Sequence, residues 1–130
     1  MEALFRKRGL VFGFWNENGY RMFAAREKPI LKKSDLAGLK MRVQENPVHI
    51  AMYKAYGAAA SPIPVTEVMQ SLATGNVDGF DQALLFMIAA GWHKAIKHVT
   101  MSEHIYQPAA IAFTQAWFDR LTPALKKILT

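Results

Sequence analysis

The residue best suited to chemistry in this sequence is Arg42, set inside the apolar run Leu39-Lys40-Met41-Arg42-Val43. Side chains alternate across a strand, so Arg42 shares a face with Lys40 while Leu39, Met41 and Val43 take the other. It falls at the C-terminal end of that strand, just before a helix opened by Asn46-Pro47. In open α/β sheets ligands collect at that edge. A guanidinium there can take a carboxylate through two parallel hydrogen bonds, and free amides at the start of the next helix would add donors. The equal alternative is an arginine that lays its stem along a sheet edge and keeps its head in water. The same edge recurs at Val65-Thr66 and at Phe80-Asp81-Gln82. Gln82 can donate from its amide to a ligand oxygen. Arg21 is a second cation. Trp15, Tyr20 and Phe80 are candidate aromatic walls, with core packing the simpler reading for Trp15.

Catalytic patterns are lacking. His49, His93, His98 and His104 are the four histidines. None pairs with another histidine or a carboxylate at the spacing of His-Glu-x-x-His, so they read as exposed or locally bonded. There is no Gly-x-Ser-x-Gly elbow and no phosphate loop. Asp78 and Asp81 read as a turn residue and a helix cap rather than an acid pair. The expectation is a protein that is not an enzyme, with no cofactor and no metal.

The elements that would position these residues follow from local signals. Residues 2–8 read as the last turns of a helix stopped by Gly9. Residues 10–15 are an apolar run fit for a strand buried on both faces. Asn16-Glu17-Asn18-Gly19 reads as a turn before a second strand at 20–24, and 26–33 as a loop. A single turn with Ser34 as cap leads to the strand at 39–43. Asn46 caps a helix that stops at Gly57. A strand at 61–65, a helix capped by Thr66 and ending before Gly75, a strand at 77–80 and a helix from Asp81 to Ala90 complete the middle. Strand and helix alternate at short intervals, which argues for right-handed crossovers and a mainly parallel sheet flanked by helices, an α/β lobe. Strands at 97–101 and 109–114, separated by a bend at Tyr106-Gln107-Pro108, and an amphipathic helical region from Phe118 to Leu129 close the chain. The expected division is a main lobe over 1–105 and a strand and helix of another lobe over 106–130.

The 130 residues are 52% hydrophobic and 20% charged, a globular balance. The net charge of +6 and pI near 9.7 favour anionic partners. The basic residues are scattered instead of forming a stripe, so nucleic acid is not the expected partner; a basic α/β module binding nucleic acid or an acidic protein is the alternative reading. With no cysteine there is no disulfide framework or thiolate chemistry. No stretch reaches the roughly 18 apolar residues of a membrane span. The first residues, Met-Glu-Ala-Leu-Phe-Arg-Lys-Arg, lack the order of a signal peptide, and the chain is expected to begin within a fold.

The order of motifs resembles one family. Trp15 followed by Asn18-Gly19-Tyr20-Arg21 and Lys28-Pro29-Ile30 looks like its W-x-x-G-F-R … R-P-I stretch. Residues Ser34-Asp35-Leu36-Ala37-Gly38-Leu39-Lys40-Met41-Arg42-Val43 resemble its D-L-K-G-L-K-I-R-V signature. The segment from Pro47 to Ala58 is similar to its helix followed by Gly-Ala, and Glu67-Val68 through Gly75-Asn76-Val77-Asp78-Gly79 matches E-V-Y-x-A-L-x-x-G-x-V-D-G. The family is the solute receptors of TRAP transporters, DctP type. The resemblance implies a two-lobed, periplasmic-binding-protein-like receptor that captures small organic carboxylates (dicarboxylates, keto acids or sugar acids) and hands them to membrane subunits. It implies that Arg42 pairs with the ligand carboxylate and that Arg21 helps. Gln82 stands where the family has asparagine, and Val65 near where it has an aromatic residue. It implies a periplasmic location, although this chain shows no signal peptide. Members carry more of the first lobe, so surface left by a missing lobe would favour a homodimer.

Overall fold

The computed structural model describes residues 2–129. The elements in chain order are α1 (Glu2–Arg6), β1 (Leu10–Ala25), β2 (Lys40–Val43), α2 (Pro47–Ala55), β3 (Ala59–Pro62), α3 (Val68–Ala73), β4 (Gly79–Ala83), α4 (Leu84–Ala89), β5 (His98–Thr114), α5 (Gln115–Asp119) and α6 (Pro123–Leu129). The five strands form one sheet in the order β3-β2-β4-β1-β5. Strand β2 runs parallel to β3 and β4, and β1 runs antiparallel to β4. The result is an α/β lobe with flanking helices, as the alternation of elements predicts, in which the antiparallel pair β1 and β4 stands beside the parallel pairs of β2. Among the described residues no helix is long and apolar enough to cross a membrane.

The chain divides into two compact units, Gly19–Tyr106 and Met1–Asn18 with Gln107–Thr130. The first eighteen residues, expected in the main lobe, group instead with the C-terminal segment. Within that smaller unit the Gln115 amide donates to the Gly9 carbonyl at 2.8 Å, and Gly13 lies against Phe113 and the carbonyl of Ile111.

In the larger unit the sheet is covered on both faces. Met22, Ala24 and Phe80 pack with Val68, Leu72, Val77, Met87 and Trp92. Phe23, Ala25, Met41 and Val43 pack with Ile30, Leu36, Tyr53 and Ala58. Alternate residues of β1 therefore enter opposite cores, and residues 21–25 are all buried.

Several expected boundaries move. Residues 16–19 make no turn, because β1 runs through them. Gly19 takes φ +92°, which glycine permits, and pairing within the sheet overrides the local turn preference. The bend expected at Tyr106-Gln107-Pro108 is likewise absent, and β5 is continuous. Pro108 cannot donate to a ladder, but among the described residues β5 is an outermost strand of the sheet, where proline is tolerated. Strand β3 begins and ends earlier than 61–65, with Pro62 and Pro64 closing its ladder. Thr66 caps nothing; it lies inside a 3-10 turn, Val65–Glu67. The turn at Lys33–Leu36 is fixed by Asp35, whose carboxylate accepts from the Leu31 and Lys32 amides, and not by Ser34. Pro123 divides the last helical region in two.

Candidate functional site

Strands β2 and β4 point their C-terminal ends the same way. The antiparallel register places Arg21 of β1 opposite Ala83, at that same end. Arg42 is the third residue of the four-residue β2, and its side chain enters the core on the Trp92 side. It is 2% exposed. Its guanidinium carbon lies 5.3 Å from the centre of the Trp92 ring, a cation–π contact, and its Nε donates to the Ile63 carbonyl at 2.9 Å. Its Nη1 is buried and has no hydrogen-bond partner among the described residues. Burial, and after it the nearby Arg21 charge, lower the Arg42 pKa; Asp81 opposes them. A buried guanidinium nitrogen without an acceptor costs about 1–3 kcal/mol or more.

Arg21, predicted as a second ligand cation, is held by the protein itself. Its Nε donates to Asp81 Oδ2 at 2.6 Å, its Nη2 to the Asp81 carbonyl, and its Nη1 to Gln82 Oε1 at 3.2 Å. Both partners of the ion pair are buried. Asp81 does not cap a helix as expected. It sits in the middle of β4, which starts two residues later than predicted because Asp78 is occupied in a turn, its carboxylate accepting from the Lys40 amide at 2.8 Å.

The Asp81 carboxylate receives two donors on each oxygen. Oδ1 takes Tyr53 Oη at 2.8 Å and His49 Nε2 at 2.9 Å; Oδ2 takes Arg21 Nε and His104 Nε2, the latter at 3.2 Å. Burial pushes this carboxyl up, but the hydrogen bonds from His104, His49 and Arg21, with the Arg21 charge, outweigh it and hold Asp81 well below the usual range. Tyr53 moves well upward, through burial and the adjoining Asp81 charge. His49 has a defined tautomer. The Gln44 amide donates to its Nδ1 at 3.0 Å, so Nε2 carries the proton that points at Asp81.

His104 is brought to Asp81 by a kink. Glu103 has φ +46°, a left-handed conformation inside β5. Residues two apart in a regular strand are separated by about 6–7 Å. Here Ser102 Oγ and His104 Nδ1 stand 2.7 Å apart, with Ser102 Oγ also accepting from the Phe23 amide. The His104 ring stacks on Phe23 with 3.9 Å between centres.

Gln82 supplies a third group. Its Oε1 accepts from Arg21 Nη1 and from the Ala83 amide, which fixes the amide orientation and leaves Nε2 as the donor. The remaining predicted residues are placed differently. Phe80 is fully buried, edge-on to Trp92, within the core. Val65 is half exposed in its 3-10 turn. Trp15 lies in the smaller unit and is exposed, edge-on to Phe12 at 5.4 Å, so it does not pack in a core. The amides at the start of α2 are not free, because Asn46 Oδ1 accepts from those of Val48 and His49. The histidines divide. His93 is exposed and bonded locally to the Met87 carbonyl, as expected, His98 reaches the carbonyl of Glu27 far along the chain, and His49 and His104 share one carboxylate.

The fold is an α/β lobe that gathers Arg21, Arg42 and Gln82, all buried, at the carboxyl ends of its parallel strands. The profile of bacterial extracellular solute-binding protein, family 7 (DctP), matches residues 2–130, and the chain belongs to that family. It is 41% identical over 110 residues, 85% of its length, to a solute-binding protein of Verminephrobacter eiseniae, of which it covers 33%. It is 31% identical over 99% of its length to the 2,3-diketo-L-gulonate-binding periplasmic protein YiaO of Escherichia coli, covering 39% of that protein. A TRAP periplasmic solute-binding protein of Polaromonas bound to D-erythronate superposes with a TM-score of 0.91 at 33% identity, over 98% of this chain and 42% of its own. The sugar acid binding protein of Advenella mimigardefordensis in complex with galactonate gives 0.92 at 30% identity, over 98% and 41%. The chain thus spans about a third to two fifths of the length of these relatives.

Proposed function

We propose that the chain forms the carboxylate-gripping part of a periplasmic solute receptor that serves a TRAP transporter. In this reading it takes small organic acids such as sugar acids and keto acids and passes them to the membrane subunits. One observation carries the reading: Arg42 Nη1 is buried at the strand ends without an acceptor. A ligand carboxylate would satisfy it, with Gln82 Nε2 as a neighbouring donor whose orientation Arg21 fixes. The ligands named for the relatives, erythronate, galactonate and 2,3-diketo-L-gulonate, are acids of this kind. Nothing in the comparisons favours the alternative of a basic module for nucleic acid or an acidic protein.

The test is calorimetric titration with D-erythronate, galactonate and 2,3-diketo-L-gulonate, alongside a duplex DNA control. At least one acid is expected to bind the wild-type chain, and Arg42→Ala to abolish that binding. Binding unaffected by Arg42→Ala, or binding of DNA alone with a steep salt dependence, refutes the assignment.

A further inference from the structure

We infer that Ser102, His104 and Asp81 form a second site, a nucleophile with its base and the acid that positions the base, and that this site cleaves esters of short-chain acids. All three belong to the larger unit. Ser102 Oγ stands 2.7 Å from His104 Nδ1, and His104 Nε2 stands 3.2 Å from Asp81 Oδ2. Asp81 stays ionised among its other donors, so its oxygen accepts and His104 Nε2 carries the ring proton. Nδ1 is left with its lone pair, and the Ser102 hydroxyl donates to it. A hydroxyl bonded to a base that a third group orients is the arrangement that makes serine nucleophilic. The parts are held in place. The His104 ring stacks on Phe23, and the left-handed Glu103 between base and nucleophile is backbone strain of the kind that gathers at functional sites. The Phe23 amide donates to Ser102 Oγ at 3.3 Å, which occupies one lone pair and leaves the other for attack.

Ser102 is partly exposed and lines a pocket of about 220 Å³ together with Phe23, Ile30, Leu36 and Tyr56. Sites for drug-sized molecules hold roughly 300–1,000 Å³, so this smaller, mainly apolar space fits a short acyl chain. Lys32 and Lys33, both exposed, line it as well. In the reaction Ser102 Oγ bonds to the acyl carbon as its proton passes to His104 Nδ1. The bond from that carbon to the alcohol oxygen breaks, and the alcohol takes the proton. Water then attacks the acyl-serine, its proton moving through His104 to Ser102 Oγ, and the carboxylic acid leaves. Ester and water become acid and alcohol, with no other reactant. Arg42 and Gln82 take no part, so the inference stands apart from the receptor reading.

The test joins fluorophosphonate labelling of the folded wild-type chain, read by peptide mass spectrometry, to hydrolysis of p-nitrophenyl butyrate and p-nitrophenyl decanoate. The label is expected on Ser102 and not on the exposed Ser34, and only while the chain is folded. The butyrate is expected to react at least about tenfold faster than the decanoate. His104→Gln is expected to slow butyrate hydrolysis by about a hundredfold or more, and Ser102→Ala to reduce it to the rate in buffer. An unlabelled Ser102, label spread equally over Ser102 and Ser34, or butyrate hydrolysis unchanged in Ser102→Ala overturns the inference. Decanoate hydrolysed as fast as butyrate overturns its assignment to this pocket. The labelling outcomes need no variant and decide the matter even if His104→Gln does not fold. None of these results bears on acid binding through Arg42, which the calorimetry above tests by itself.

Discussion

Arg21 and Asp81, sixty residues apart in sequence, form a fully buried ion pair with 2.6 Å between Nε and Oδ2. Removing one partner leaves the other charged and unpaired in the interior, which typically costs about 3–5 kcal/mol. Arg42 has no such partner, and its Nη1 is already unsatisfied. Arg21→Met is therefore expected to destabilise the chain by about 3–5 kcal/mol and Arg42→Met by no more than about 1 kcal/mol. Urea unfolding of the two variants checks this, and equal losses would contradict the division of roles.

Acid should act through Asp81. Its folded pKa lies well below the ordinary value, because the bonds from His104, His49 and Arg21 outweigh burial. A depressed carboxyl contributes stability that is present above the unfolded pKa, near about 3.9 for aspartate, and is lost as pH falls from there through the folded pKa. Melting temperatures measured between pH 6 and pH 2.5 should fall more steeply below about pH 4 in the wild type than in Asp81→Asn. Parallel curves would remove Asp81 as the source.

The kink at Glu103 reverses the usual strand preference. Glycine inside a strand costs about 0.5–1 kcal/mol, but a left-handed backbone costs other residues about 1–2 kcal/mol. At φ +46°, Glu103→Gly is expected to be neutral or stabilising by up to about 1 kcal/mol, and Glu103→Val to be destabilising. Chemical denaturation showing valine better tolerated than glycine would refute the strained assignment.

Gly79 is required by a close approach. A Cβ there would collide with the Ala24 carbonyl oxygen and stand 3.2 Å from Ala25 Cα and from Met41 Cε. Two of these are backbone atoms in a paired strand, which cannot yield as a side-chain tip can. Gly79→Ala should cost about 3 kcal/mol or more, read as a loss in the urea midpoint. A change under about 0.5 kcal/mol would mean that β1 and β4 separate more easily than this register implies.

Much of the lobe was legible in the sequence because its signals are local. Asn46-Pro47 opens α2 and Gly57 closes it, and Arg42 stands at a strand end with its apolar neighbours on the opposite face. What escaped was set by partners far along the chain. Asp81 has the local look of a helix cap, and only β1, α2 and β5 together make it the centre of a hydrogen-bonded cluster. His49 and Tyr53, one helical turn apart, and Ser102 and His104, two apart in a strand, each share a face. That polar periodicity was the available signal, but it names no acceptor. The turn at 16–19 and the bend at 106–108 were misread for the converse reason. Asparagine, glycine and proline carry strong local preferences, which extended pairing in the sheet overrode.

The Asp81 cluster also bears on how the chain acquires its shape. Its four donors lie 60, 32, 28 and 23 residues from the acceptor. Loop-closure entropy delays contacts of such long range. The segment from β2 to β3 can collapse early on neighbouring contacts, yet a chain halted there has no grip on Arg21. The Arg21–Asp81 network is therefore expected to close in the last steps of folding, together with the docking of β5.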